Sequence, residues 1–300
     1  MGTIKLFKTS NSFVSELNAK SIGVEKSLQN LIEHNLEIFL GVRFLASEYS
    51  TGKSHGGRID TLGIDENNAP VIIEYKRSIN ENVINQGLFY LDWLLDHKAE
   101  FILLAMKTYG KNTSDLIEWE NARLLCIASE FTKYDEYAVQ QINRNIELIR
   151  YRRFDENIML LELVNATSAD IEQKPRTKGS TRYATVTELL DKMGKTEKDR
   201  YETLKAYISA LGDDVQEKTT KYYIAYRRLS NFACFEFHPN NGEIVIWLKI
   251  NPDKIQLEEG FTRDCREIGH YGTGDLEVKI NSDEDVIKAQ PLILQSYEGS

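Results

Sequence analysis

Cysteine is scarce in this chain. Three occur among 300 residues, Cys126, Cys234 and Cys265, and no two have Cys-x-x-Cys spacing. That excludes a dense disulfide framework and leads us to expect a reduced, cytoplasmic protein. Long apolar runs are missing too. A membrane span needs about 18 apolar residues, and the best stretch, YLDWLLDHKAEFILLAM, is cut by Asp92, Asp96, His97, Lys98 and Glu100. No membrane association is expected. The opening residues MGTIKLFKTSNS lack the apolar core of a signal peptide. Leu6 stands where a myristoylation signal needs Ser or Thr. No low-complexity tract, internal repeat, Walker loop, Rossmann fingerprint or Ser-His-Asp arrangement is present. What remains is an ordinary globular composition, 41% hydrophobic, long enough for two cores.

The net charge of -9 argues mildly against nucleic acid as a partner. Its distribution is uneven. Residues 173–230 carry 13 basic and 8 acidic side chains, net +5, and the flanking segments are each net -7. The basic block reads equally well as a phosphate-facing surface or as a solvated helix face.

Apolar spacing predicts a helix through Val24, Leu28, Leu31, Ile32, Leu36 and Phe39, stopped by Gly41. VRFLASEY, IDTLGI and PVIIEYK read as strands, the last two joined by DENNA. A helix over about 82–97 follows, then FILLA and RLLCIAS as buried strands. This helix–strand alternation gives an α/β domain over residues 1–165 around a central mixed sheet. Residues 166–182 are polar, with Pro175 and Gly179, and read as a linker. Residues 183–300 form a smaller α+β domain. A helix capped by Thr196 leads into the strands FACFEFH, EIVIWLKI and LEVKI. A last helix is expected to be kinked or split by Pro291.

One constellation carries chemistry. In PVIIEYK both faces begin apolar, the mark of a central strand, and the strand ends in Glu74 and Lys76. Alternation puts these two side chains on one face. If IDTLGI pairs antiparallel with PVIIEYK, Asp60 falls opposite and joins them. Two close carboxylates repel unless a cation joins them, and Mg²⁺ or Mn²⁺ takes such oxygen ligands. Lys76 would then supply positive charge to the attacking water or to the scissile phosphate. The plainer alternative is a rim ion pair without metal. Cys234-x3-His238 and Cys265-x4-His270 suggest zinc, but four strand residues span about 13 Å, too far for one ion. GHYGTGD, residues 269–275, reads as a glycine-rich turn.

GRID, thirteen residues, then EYK resembles the PD-(D/E)xK nuclease superfamily, which has a restriction-endonuclease-like core. It is most similar to the branch of NucS-type DNA endonucleases. The resemblance covers about residues 20–155 and departs at Ile59, where the motif has Pro. It implies a Mg²⁺- or Mn²⁺-dependent DNA endonuclease, a hydrolase of defence or repair. Asp60 and Glu74 would be metal ligands, with a further ligand from the Tyr75 carbonyl, and Lys76 would be the catalytic lysine. The family's Gln-x-x-x-Tyr is met by Gln86 and Tyr90. The family also places a Glu on the first helix near the metal. Of Glu25, Glu33 and Glu37, only Glu25 borders the apolar stripe. A first-turn acid favoured by the helix dipole explains Glu25 as simply, and a helix–helix hydrogen bond would explain Gln86. The C-terminal half resembles a small α+β domain of unknown role appended to such nucleases.

Two rivals stand beside the nuclease: a module that binds nucleic acid or a protein without cutting, and a regulatory protein whose second domain takes a small ligand. A protein partner or a homodimer is a further expectation.

Overall fold

The structure, a computed structural model, describes residues 4–20, 25–76, 83–155, 157–169 and 184–300. Two compact units result, Met1–Ile38 with Val42–Glu172, and Gln173–Ser300 with Phe39–Gly41. The molecule is mixed α/β, with a central mixed sheet in the first unit and an antiparallel sheet in the second.

The first unit opens with a hairpin, β1 (Leu6–Ser10) and β2 (Phe13–Leu17), then a short β3 (Ala19–Lys20). Next come α1 (Glu25–His34), α2 (Leu36–Leu40), β4 (Val42–Ser50) and the single turn α3 (Gly52–His55). The hairpin β5 (Arg58–Asp65) and β6 (Pro70–Lys76) leads to α4 (Val83–Asp96), α5 (Lys98–Tyr109) and α6 (Lys111–Asp115). Then β7 (Arg123–Ala128), α7 (Lys133–Gln140), β8 (Asn145–Phe154) and β9 (Ile158–Thr167) complete the unit. The seven-stranded sheet runs β3-β8-β7-β6-β5-β4, with β9 also paired to β8. Strands β6, β7 and β8 are parallel neighbours, and the β4–β5 and β5–β6 pairs are antiparallel.

The β5–β6 turn is built by Asp65, whose Oδ1 accepts the amides of Asn67 and Ala69, each at 2.9 Å. Asn68 takes the left-handed conformation (φ 60°) that such turns require. On one side α1 lies against β5 and β6 and buries Leu28 and Ile32. Truncating either leucine or isoleucine side chain to alanine would cost about 2–5 kcal/mol. On the other side α4 lies against β6 and β7. Its Gly87 sits directly on Leu124, where an added Cβ has no room.

The helix expected over 24–39 breaks at Asn35, whose amide turns back to the Ile32 carbonyl at 3.0 Å. FILLA belongs to α5, a helix, not a buried strand. Phe101 and Ala105, one turn apart, are buried, while Leu103 and Met106 face out. A short apolar run does not distinguish these two states. Strand β9 extends two residues past the expected boundary at 165, and residues 170–182 of the expected linker, with residue 183 after it, lie outside the described residues. No helix among the described residues is long and apolar enough to cross a membrane.

The second unit contains α8 (Val186–Lys192), α9 (Lys195–Ser209), β10 (Gln216–Thr219), β11 (Ile224–Arg227), β12 (Asn231–His238), β13 (Glu243–Leu248), β14 (Thr262–Asp264), β15 (Leu276–Ile280) and α10 (Asp283–Glu298). Its antiparallel sheet runs β10-β11-β12-β13-β15-β14. Phe235, Phe237, Ile244 and Ile246 share a core with residues of α8, α9 and α10. The opposite face carries Cys234, Val245 and Trp247, joined by Cys265. Gly194, not Thr196, caps α9. The α10 helix is capped by Ser282 and Asp285 as a reciprocal box and runs through Pro291 without splitting. The carbonyl that Pro291 leaves unbonded belongs to Ile287, 68% exposed, where water can reach it.

Candidate active site at the carboxyl end of the central strands

Strands β5 and β6 pair regularly down to Thr61↔Ile73, which sets residues 60 and 74 opposite each other. There the ladder changes partners. The Asp60 amide donates to Glu74 Oε1 at 3.2 Å, and the Tyr75 amide donates to Asp60 Oδ2 at 3.1 Å. Each carboxylate therefore takes the place of a backbone carbonyl, and the two acids are locked to one rung. Glu74 is fully buried, and Asp60 and Lys76 are half-buried. Glu74 and Lys76 share a strand face by alternation. The neighbour of Glu74 in β7 is Cys126, whose thiol is pushed well up by burial, with the Glu74 charge adding to it. It stays a protonated thiol.

Tyr75 points to the other face. Its phenol is 3.3 Å from Thr61 Oγ1, and Thr61 donates to Glu33 Oε1 at 2.6 Å. Burial raises the phenol's pKa far above the ordinary value, and the charges of Glu33, Asp60 and Glu74 raise it further. Gln29 also holds this end of the strands. Its Nε2 is within donating distance of the Asp60 carbonyl (2.8 Å) and of Glu33 Oε1 (2.9 Å). The helical angle had set Glu33 aside, yet its side chain reaches the strands. Glu25 is the first residue of α1, and its side chain lies outside the described residues.

A third carboxylate reaches the neighbourhood from β4. The rungs Ser47↔Thr61 and Tyr49↔Ile59 bracket Glu48, which thus lies across from position 60. Glu48 is left-handed (φ 54°), a conformation uncommon for a residue with a side chain. It bridges Lys26 of α1 at 2.8 Å and Arg58 at 2.6 Å. The hydrogen bond from Lys26 holds its carboxyl below the usual range against some opposing burial, with the charges of Lys26 and Arg58 assisting.

Gln86 and Tyr90 meet within α4. Gln86 Nε2 donates to the Tyr90 hydroxyl at 3.3 Å, and the Arg58 amide donates to the same oxygen at 3.2 Å. Tyr90 is 6% exposed and forms one wall of an open cleft of about 540 Å³. Lys53, Gly56, Gly57 and Arg58 form the other wall. Gly57 is packed so closely on the Tyr90 ring that a Cβ there would collide with it. Gly57→Ala is expected to displace Tyr90 and to cost about 1–3 kcal/mol from overpacking. Urea unfolding of the variant measures it, and an unchanged midpoint would contradict the packing described.

Residues 186–300 match a family described as a domain of unknown function, DUF5655. Over 307 aligned residues the chain is 29% identical to an uncharacterized protein of Haemophilus influenzae, covering 98% of this chain and all of the relative. Among solved structures, a chain from an EndoMS-dsDNA2 complex aligns with 46% of this chain at 19% identity and a TM-score of 0.26. This chain spans about half of that one, 51%.

Proposed function

We propose that the first unit is a metal-dependent phosphodiesterase that hydrolyses DNA, with the restriction-endonuclease-like core that GRID and EYK suggest. The observation that carries this reading is the reciprocal bonding of Asp60 and Glu74, which fastens two acids to the strand end that also bears Lys76.

The donor set suits Mg²⁺ or Mn²⁺. Asp60 and Glu74 offer hard carboxylate oxygens, and the Tyr75 carbonyl lies next in the chain. Among the described residues no group of three or more His, Cys, Asp or Glu side chains could hold a metal alone. A cation here would complete its shell with water and phosphate oxygens, as Mg²⁺ commonly does. Bound there, it supplies positive charge to a phosphoryl oxygen and makes water more acidic. Lys76, on the face of Glu74, orients the attacking water and offsets charge building on the phosphate. Gln86 and Tyr90 steady the loop at Arg58, and Glu25 of α1 is the acid that the resemblance would bring near the metal, while Glu33 holds Thr61 on the opposite face. Lys53 places a cation in the cleft beside this edge, where a neighbouring phosphate could lie.

The test is cleavage of single-stranded, duplex, branched and modified DNA with Mg²⁺ or Mn²⁺. Metal-dependent product from at least one substrate is expected. No product from any of them with either metal would overturn the reading. The net charge of -9 favours a second one, a module that grips nucleic acid or a protein without cutting. Salt-sensitive DNA binding with no product would select it.

A further inference from the structure

The second unit has a cleft of its own, about 730 Å³, at the turn end of β12 and β13. That size falls within the roughly 300–1,000 Å³ of small-molecule sites. Its lining includes Tyr222, Tyr271, Glu236, His238, Asn240 and Lys192. Tyr222 and Tyr271 stack with ring centres 4.2 Å apart and planes 15° from parallel. Tyr271 is 52% exposed, so the stack ends in an open aromatic face.

The loop that presents Tyr271 is pinned. His270 stacks on Trp247 at 4.1 Å, and Gly272 packs so tightly on Trp247 and Cys234 that a Cβ would collide with both. The Thr273 amide donates to Cys234 Sγ at 3.4 Å. Glu236 is fixed as well. Trp247 Nε1 donates to its Oε1 at 2.7 Å, and its Oε2 lies 3.9 Å from His238 Nε2. The site is ordered before any ligand arrives, which reduces the entropic cost of binding.

Parallel tyrosines do not make the crossed walls of a cage for a rounded cation. They make a platform that a flat ring can extend. A carboxylate beside that platform accepts hydrogen bonds from an amino group, as glutamate does from the amino group of cytosine. It disfavours a uracil or thymine edge, where the ring N–H is flanked by two carbonyl oxygens. Lys192 in the cleft, and Lys221 with its ammonium 4.8 Å from the Tyr222 ring, supply charge for a phosphate. Both lysines lie in the net-positive segment 173–230.

We infer that this cleft binds an amino-bearing nucleobase, stacked on Tyr271 and hydrogen-bonded to Glu236, with its phosphate toward Lys192. The inference does not rest on the nuclease reading of the first unit. The shared chemistry has two sources, a free nucleotide or a single nucleic-acid strand.

The experiment is calorimetry of the full chain in EDTA, which silences any metal chemistry. The ligands are AMP, CMP, GMP and UMP, and short homopolymers of dA, dC and dT. Amino-bearing bases are expected to bind about tenfold or more tighter than UMP or dT. Tyr271→Ala, at an exposed position, is expected to weaken binding by about tenfold or more. Glu236→Gln keeps an acceptor for Trp247 and is expected to erase the preference. Mononucleotides that match the strands in affinity identify the free nucleotide. Tighter, salt-dependent strand binding identifies the strand. No binding of any ligand at millimolar concentration, or binding indifferent to both substitutions, would overturn the inference.

Discussion

Lys76→Ala is expected to lower DNA cleavage by at least about 100-fold while leaving metal uptake intact. The strand places Lys76 on the face of Glu74, one alternation further along. In the proposed mechanism the lysine would contribute charge at the reacting phosphate and no ligand atom to the cation. Asp60→Asn should behave differently. The amide keeps an oxygen to accept the Tyr75 N–H, now bonded to Asp60 Oδ2 at 3.1 Å, so the rung should survive. The negative charge proposed to draw a divalent cation would be gone, so metal binding and cleavage should fall together. Titration calorimetry with Mn²⁺ and single-turnover cleavage, run on both variants, separate the two roles. A Lys76→Ala protein that cuts at the wild-type rate removes the lysine from the mechanism. A wild-type chain that takes up neither Mg²⁺ nor Mn²⁺ removes the site altogether.

Arg123→Met is expected to cost about 3–5 kcal/mol of folding stability. Arg123 opens β7, is 2% exposed and donates to Asp65 Oδ2 and Glu147 Oε2, each at 2.9 Å. Burial by itself would lower the pKa of the guanidinium. The charges of Glu147 and Asp65 reverse this and hold it above the ordinary value. A methionine fills similar space but leaves two buried carboxylates facing each other, and Asp65 is also the residue that builds the β5–β6 turn. Lysine should rescue little, because one ammonium on a flexible stem does not reproduce the fork that meets two acids. Equilibrium unfolding in urea gives the loss. The β6–β7 register pairs Val71 with Arg123 and Lys76 with Ala128, so the triad lies at the opposite end of the strands from Asp60 and Glu74. A variant that loses less than about 1 kcal/mol would contradict the account of a mutually dependent buried triad.

The central hairpin was legible because several signals agreed. PVIIEYK is apolar on both faces, DENNA is rich in turn formers, and the spacing from Asp60 to Glu74 fits an antiparallel pair. Arg123 was legible by the same reasoning and went unused, since RLLCIAS opens on a charge just as PVIIEYK closes on one. Glu33 was missed because the angular argument treats the helix as a bare cylinder. A glutamate at the margin of the buried face has the reach to find Thr61, itself buried. Glu48 left no signal at all. Nothing local in SEY announces a left-handed glutamate, which is imposed by pairing with β5 on one side and by Lys26 and Arg58 on the other. The α5 helix was misread because its apolar run is too short for period alone to decide.

The bare backbone at Gly87 has a consequence beyond packing. With no side chain between them, α4 and β7 stand as near as Leu124 permits. Gln86, one residue earlier, and Tyr90, one turn later, inherit that separation. A methyl group at position 87 would act as a shim, tilting the helix outward and drawing the Tyr90 hydroxyl, with Gln86 bonded to it, off the Arg58 amide. The gauge of the cleft between Tyr90 and Arg58 is therefore set by an atom that the chain does not have.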